Sequence, residues 1–276
     1  MSNTPKKYCG LYTTLFSPEY LKKEYLEREQ SLNQIAKQAG CSKKMVLLSI
    51  QKHKIPTRSN ALANHIRHKR TFNLTKLVKN YIDGLILGDG HILQKTRFSA
   101  RYDQSFSVRY REWANQIRID LKHLGIISNM IEYVTKPSFI RKTGQLIPSF
   151  PQILLYTMFY EEFCVFRERW YGNGVKTVPK DIELAPETVA NWYMGDGYYD
   201  TQTGRVAFCT HSCSTEALVL LKSVLKETLG VVGKVYPDRS QDNQPIFKLN
   251  RENSRVLLNY TKGLKVDCFN YKWGIN

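Results

Sequence analysis

One pattern occurs twice in this chain, and the repeat constrains the fold more than any other feature. YIDGLILGDG (81–90) and VANWYMGDG (189–197) are apolar, helix-like stretches that both end in Gly-Asp-Gly. Their aspartates, Asp89 and Asp196, stand 107 residues apart. Each is followed by a strand-like run of polar and aromatic residues, ARYDQSFSVRY (100–110) and RVAFCTHS (205–212). An amphipathic helix that stops at glycine comes next, REWANQIRIDLKHLG (111–125) and TEALVLLKSVLKETLG (215–230). The β-type runs MIEYVT and ILLYTMF follow in the first copy, VVGKVY and IFKLNR in the second, and a further helical stretch closes each. The order is helix, two strands, helix, two strands, helix, twice over. A period this long excludes a solenoid and predicts a duplicated α+β domain, a covalent version of a two-fold dimer. Such a pseudo-dimer is expected to act as a monomer.

The repeated helix carries its own chemistry. Gly84 and Gly88 are four residues apart, as are Asn191 and Gly195, a spacing that lets two helix backbones approach closely. Packed on each other, the helices would present Asp89 and Asp196 at the same end. Gly90 and Gly197 follow the aspartates, where a left-handed helix terminus costs glycine little. Two carboxylates at the negative ends of two helix dipoles repel each other. Divalent cations relieve that repulsion, so the pair is predicted to be a metal site.

The first 80 residues read differently. They hold 16 Lys or Arg and 4 Asp or Glu, which places a net +12 of the chain's +17 in less than a third of its length. A field of that sign favours a polyanion, because each neutralised phosphate releases condensed counterions. PEYLKKEYLEREQ (18–30) is helical in composition, Ser31 can cap LNQIAKQA, Gly40 can end it, and Ser42 can cap KKMVLLSIQKH. Ile35, Ala36, Gly40 and Val46 fall at the spacing of a DNA-reading helix-turn-helix, whose second helix would expose Ser42, Lys43, Lys44 and Gln51 to the major groove. Residues 1–57 are therefore read as an all-α helix-turn-helix module. Residues 58–76 are a basic linker, 77–183 the first half of the duplication and 184–276 the second.

No apolar run approaches the roughly 18–20 residues that span a bilayer, so no membrane partner is expected. The start, MSNTPKKYCGLYTTLF, lacks the apolar run and cleavage site of a secretory signal, and the six cysteines form no CxxC pair. An intracellular, reducing location is expected. Cys209, His211 and Cys213 alternate as strand residues do, but no second cluster supplies a fourth zinc ligand, and packing explains them better.

ILGDG and WYMGDG, with their apolar helices and their duplication, resemble the two signature motifs of single-chain LAGLIDADG homing endonucleases. YGNGVKTVPKDIELAPETVANWYMGDG is similar to the approach to the second motif, and FNYKWG to the end of such chains. The likeness covers about residues 77–276. It implies a pseudo-two-fold tandem αββαββα fold whose sheets saddle duplex DNA, and site-specific cleavage of one phosphodiester on each strand, leaving short 3′ overhangs. It also implies Mg²⁺, with Mn²⁺ able to substitute, held by Asp89 and Asp196 with the carbonyls of Gly88 and Gly195. Bound there, the ions would activate water and stabilise the attacking and leaving oxygens. A nearby cation would support the transition state, with Lys248, Lys176 and Lys272 as candidates. The family's Asp-Ala-Asp-Gly is here Leu87-Gly88-Asp89-Gly90 and Met194-Gly195-Asp196-Gly197, so the last acid survives in both copies.

The strand-like runs are rich in side chains suited to base edges. Arg97, Arg101, Gln104 and Arg109 are the first-copy candidates, and Arg205, Thr210, His211, Lys234, Arg239 and Lys248 those of the second. No flanking splicing residues are evident, which suits a free-standing or intron-encoded protein. Two alternatives stay open: a catalytically silent transcriptional regulator of the same fold, and a maturase whose partner is host intron RNA.

Overall fold

The computed structural model describes residues 16–139, 146–238 and 242–275. It falls into two compact units, Met1–Lys69 and Arg70–Asn276.

In the first unit, Ser17 caps α1 (Pro18–Leu21), which runs on as a π-helical turn, Lys22–Glu27. Helix α2 (Leu32–Gln38) opens on a capping box, in which Ser31 and Gln34 satisfy each other's backbone N–H groups. Gly40 turns the chain at φ 64°, a conformation that favours glycine, and α3 (Lys43–Lys52) begins at once. Leu21, Tyr25, Ile35, Ala36, Val46, Ile50 and Ile55 form the core of this unit. The stretch expected to be a linker contains a helix, α4 (Asn60–His68), capped by Ser59, that buries none of its side chains.

The second unit repeats one topology. Its first half contains α5 (Lys76–Leu87), β1 (His91–Thr96), β2 (Ser99–Ser107), α6 (Arg111–His123) and β3 (Ser128–Val134). A short hairpin, β4 (Ser138–Phe139) with β5 (Leu146–Ile147), precedes β6 (Pro151–Thr157) and α7 (Phe163–Tyr171). The second half contains α8 (Pro186–Asp196), β7 (Gly197–Asp200), β8 (Arg205–Cys209), α9 (Thr215–Leu229), β9 (Gly233–Asp238), β10 (Gln244–Leu249) and α10 (Arg251–Thr261). A 3₁₀ segment, Asp267–Trp273, ends the description. The two four-stranded sheets are antiparallel and have the same order, β1-β2-β6-β3 and β7-β8-β10-β9. This is the expected αββαββα unit, twice.

One apolar core serves both halves. Tyr102, Phe106, Trp113, Phe163 and Trp170 from the first meet Trp192, Tyr193, Phe208 and Phe247 from the second within a single cluster. Burial on this scale, at about 25 cal/mol per Å² of apolar surface, is the main force holding the halves together. Among the described residues no helix is long and apolar enough to cross a membrane.

Candidate active site at the paired helix ends

Helices α5 and α8 lie against each other along their small residues. A Cβ added at Gly84 would stand 2.6 Å from the Thr188 carbonyl oxygen. One added at Gly195 would lie 3.2 Å from the Gly88 Cα and 3.7 Å from Asp89 Oδ2. The neighbour of Gly84 is thus Thr188, one turn earlier than Asn191, and the Thr188 hydroxyl donates across the interface to the Asn80 carbonyl at 3.0 Å. Asp89 is exposed and Asp196 half-buried.

Gly90 and Gly197 are glycines for a different reason from the one expected. Neither has positive φ. A Cβ at 90 would lie 2.5 Å from the Tyr102 ring, and one at 197 would lie 2.0 Å from the Tyr193 ring. Close packing, not a left-handed turn, requires glycine at both places.

The electrostatics show that the two acids sense each other. Burial, and then the charge of Asp89, push the Asp196 carboxyl up to about 7, while Lys176 and Lys272 pull it back. Lys176 Nζ donates to the Gly88 carbonyl at 2.8 Å and to the Gly90 carbonyl at 3.4 Å. Lys272 Nζ donates to the carbonyls of Met194 at 2.7 Å, Tyr193 at 3.4 Å and Gly195 at 3.5 Å. Burial lowers the Lys176 ammonium, and lowers that of Lys272 to about 8; both acids oppose the shift in each. The result is two acids, two lysines and a set of backbone carbonyls at one end of a helix pair.

These donors fit a hard divalent cation, because carboxylate and carbonyl oxygens are the ligands such ions take. Among the described residues no three His, Cys, Asp or Glu side chains converge, so carbonyl oxygen or water would have to complete the ligand set. The Gly88 carbonyl already accepts from Lys176, but its second lone pair leaves room for an ion. Cys209, His211 and Cys213 are likewise not gathered into such a group.

Lys248 is not part of this cluster. The charges that act on Asp196 are Asp89, Lys176 and Lys272. Lys248 instead lines a groove of about 650 Å³ with Arg205, Lys234 and Tyr236, and its acidic neighbour is Asp200. It sits opposite Lys234 and Ala207 in the β10 register. Lys248, expected beside the two acids, lies instead on the strand surface, outside the group of charges around Asp196.

Two of the expected DNA contacts are buried. Gln104 shares the core face of β2 with Tyr102 and Phe106, is 1% exposed, and accepts from the Tyr102 hydroxyl. Thr210 lies past the end of β8, is 1% exposed, and donates to the Pro245 carbonyl. Arg101 pairs with Asp103 at 2.8 Å and stacks on Tyr156, and His211 Nε2 lies 3.2 Å from Asp238 Oδ2. Arg97, Arg109, Arg205 and Lys234 are exposed, with Arg97 over the Phe98 ring and Arg109 over that of Tyr110. Arg239 and Cys9 lie outside the described residues. In the first unit Lys43, Lys44 and Gln51 are exposed, whereas Ser42 is engaged in capping α3 through Met45 N–H.

A duplicated αββαββα protein, with paired acidic helix ends between two four-stranded sheets, is the class that fold and site define. The sequence profile of the LAGLIDADG DNA endonuclease family matches residues 79–257, and the chain belongs to that family. An uncharacterized protein of Methanocaldococcus jannaschii is 27% identical over 209 residues, 75% of this chain and 77% of that one. The cytochrome b mRNA maturase bI2 of Debaryomyces hansenii is 25% identical over 121 residues, 43% of this chain and 45% of that protein. The homing endonuclease I-WcaI, solved bound to its DNA recognition sequence, has a similar fold: TM-score 0.61, 17% identity, 80% of this chain and 96% of that one.

Proposed function

We propose that this protein is a site-specific DNA endonuclease that binds a long duplex target and hydrolyses one phosphodiester on each strand. The observation that carries the reading is the meeting of Asp89 and Asp196 at the end of the α5–α8 pair, with Lys176 and Lys272 held on the carbonyls of the two motifs. A protein that only bound DNA would have no use for two acids whose proximity raises the carboxyl of one of them.

In this reading Asp89 and Asp196, with the Gly88 and Gly195 carbonyls, hold divalent cations, Mg²⁺ above all. The ions supply Lewis acidity at the scissile phosphates and a more acidic water. Lys176 and Lys272, held against the motif carbonyls, supply fixed positive charge where negative charge grows in the transition state. Buried ammonium groups of this kind need no reorganisation when that charge develops. Exposed cations on and beside the two sheets, chiefly Arg97 in the β1–β2 turn, Arg109 just after β2, and Arg205, Lys234 and Lys248 on the second sheet, would meet the DNA. The first unit adds Lys43, Lys44 and Gln51 as a helix-turn-helix reader outside the cleavage domain.

The test is cleavage of a randomised duplex library in Mg²⁺ by the wild-type chain and by Asp89→Asn and Asp196→Asn. Selected sequences should be cut by the first and bound uncut by the variants. Specific binding without cleavage by the wild type would overturn the reading. The likeness to a cytochrome b mRNA maturase favours intron RNA as a second partner, and splicing of host-intron RNA with and without the protein addresses it separately.

A further inference from the structure

Lys176 lies in the irregular segment 172–185 that joins α7 to α8, yet its ammonium meets the Gly88 carbonyl at 2.8 Å. Holding a four-carbon stem in one rotamer on an irregular segment costs side-chain entropy. The structure contains a device that pins the segment on both sides of Lys176. Asp83, in the middle of α5 and fully buried, accepts both Nη atoms of Arg169 at 2.8 and 2.9 Å and Trp170 Nε1 at 2.8 Å. Trp170 in turn accepts Thr177 N–H on its carbonyl at 2.8 Å, directly after Lys176. Beyond it, Asp181 is gripped by Arg169 at 2.9 Å and by Lys79 of α5 at 3.1 Å.

We propose that the Asp83–Arg169–Trp170–Asp181 network is a positioning device for Lys176, and that it controls one of the two cuts, the one that Lys176 serves. This rests on the endonuclease reading above. Helix α5 holds the segment through Lys79 and Asp83 and receives its lysine at Gly88, so one rigid element supplies both the anchor and the target. The second half does not repeat the arrangement: the residue 107 positions after Asp83 is Ala190. Lys272 is held instead by the 3₁₀ segment itself, where Tyr193 donates its hydroxyl to the Lys272 carbonyl and packs edge-on to Trp273. A charge placed in a fully buried helix position must be paired, and its bidentate geometry fixes direction as well as distance. An anchor for packing alone needs no such direction.

The experiment follows each strand of a labelled target separately under single-turnover conditions. The full chain is compared with Asp181→Asn, which changes only the exposed end of the network, and with Trp170→Phe, which removes one hydrogen bond. Thermal melting of each variant confirms folding. The strand whose cut falls most in Lys176→Met should slow about tenfold in both variants, as expected when a reacting group loses its orientation, while the other strand stays within about twofold. In the Lys176→Met background neither change should slow that strand further, a non-additivity that a merely structural role would not produce. Equal slowing of both strands, no slowing, or effects that multiply with Lys176→Met would overturn the proposal. If the wild-type chain binds its target and cuts neither strand, the endonuclease reading itself fails, and that outcome is distinct from all the others.

Discussion

The two motif ends share a backbone and differ in almost everything attached to it. Asp89 is exposed, and the lysine on its motif's carbonyls comes from a connecting segment fastened by a buried ion pair. Asp196 is half-buried, and the lysine on its motif's carbonyls, only 6% exposed, comes from a 3₁₀ segment locked by Tyr193. The sheets diverge as well. Arg101 of the first is paired to Asp103, whereas Arg205, Lys234 and Lys248 of the second line an open groove. The close approach of the helix pair is fixed at Gly84, where a side chain would meet the Thr188 backbone. That constraint leaves everything that holds charge in place free to diverge. Two centres built this way can share a reaction and still respond differently to the same change.

The largest effect is expected where the halves are still alike. Asp89→Asn and Asp196→Asn should each reduce cleavage by roughly a thousandfold or more, since each removes a charge that no other acid replaces. Specific binding, followed by gel shift in Ca²⁺, should survive. If one variant lost its own strand's cut and left the other untouched, the centres would be independent rather than shared. Next in size, Lys272→Met should cost more than Lys176→Met, by about tenfold, because the more deeply buried ammonium acts through a lower local dielectric. Strand-resolved rates measure both. Equal losses would show that the difference in burial has no consequence for the chemistry.

The helix interface separates the halves in a third way. Gly84→Ala places a methyl 2.6 Å from a backbone oxygen that cannot turn aside, whereas Gly88→Ala meets its nearest neighbour at 3.5 Å, ordinary contact. The first should lower unfolding stability by about 1–3 kcal/mol in denaturant titration and the second by much less. Similar losses would mean that the interface can slide.

These contrasts also mark what could be read from residues alone. Apolar helices ending in Gly-Asp-Gly, repeated at one spacing, define the topology and the acid pair, because helix packing and backbone sterics are local. The strand faces were harder. SARYDQSFS alternates so that Tyr102, Gln104 and Phe106 share the core, yet Gln104 alone looks like a base reader until that register is known. In β10, QPIFKL does not alternate, and nothing in it placed Lys248 on the groove rather than beside the acids. Asp83 left one legible signal, a charge within an apolar helix, which demands a buried partner without saying which. The partner is 86 residues away, and only the fold brings it back.

Proton linkage tests the difference in burial directly. The Asp196 carboxyl, raised to about 7, binds a proton in the folded protein that the unfolded chain has already released above its ordinary value. Between those two values the folded state carries more protons, so metal-free stability should fall as pH rises through that window. A divalent cation competes with that proton. Mg²⁺ should therefore raise the melting temperature more at about pH 8 than at about pH 5. Asp196→Asn should abolish the pH slope. Asp89→Asn should reduce it, having removed one of the two causes that hold the carboxyl up.

The smallest effect concerns the sheets. An exposed cation contributes to DNA binding mainly by releasing a counterion, and one already paired to a carboxylate has less to release. Arg205→Ala and Lys234→Ala, both in the open groove of the second sheet, should each reduce the slope of log affinity against log salt by about one. Arg101→Ala should change it by less, because Asp103 already neutralises that guanidinium. Its main effect should be on stability, since it leaves the Asp103 carboxylate, 5% exposed, without its ion pair. Fluorescence anisotropy across a salt series reads the slopes. Equal slopes from Arg101 and Arg205 would show that the Asp103 pair opens on binding and that the two sheets meet DNA with the same charge.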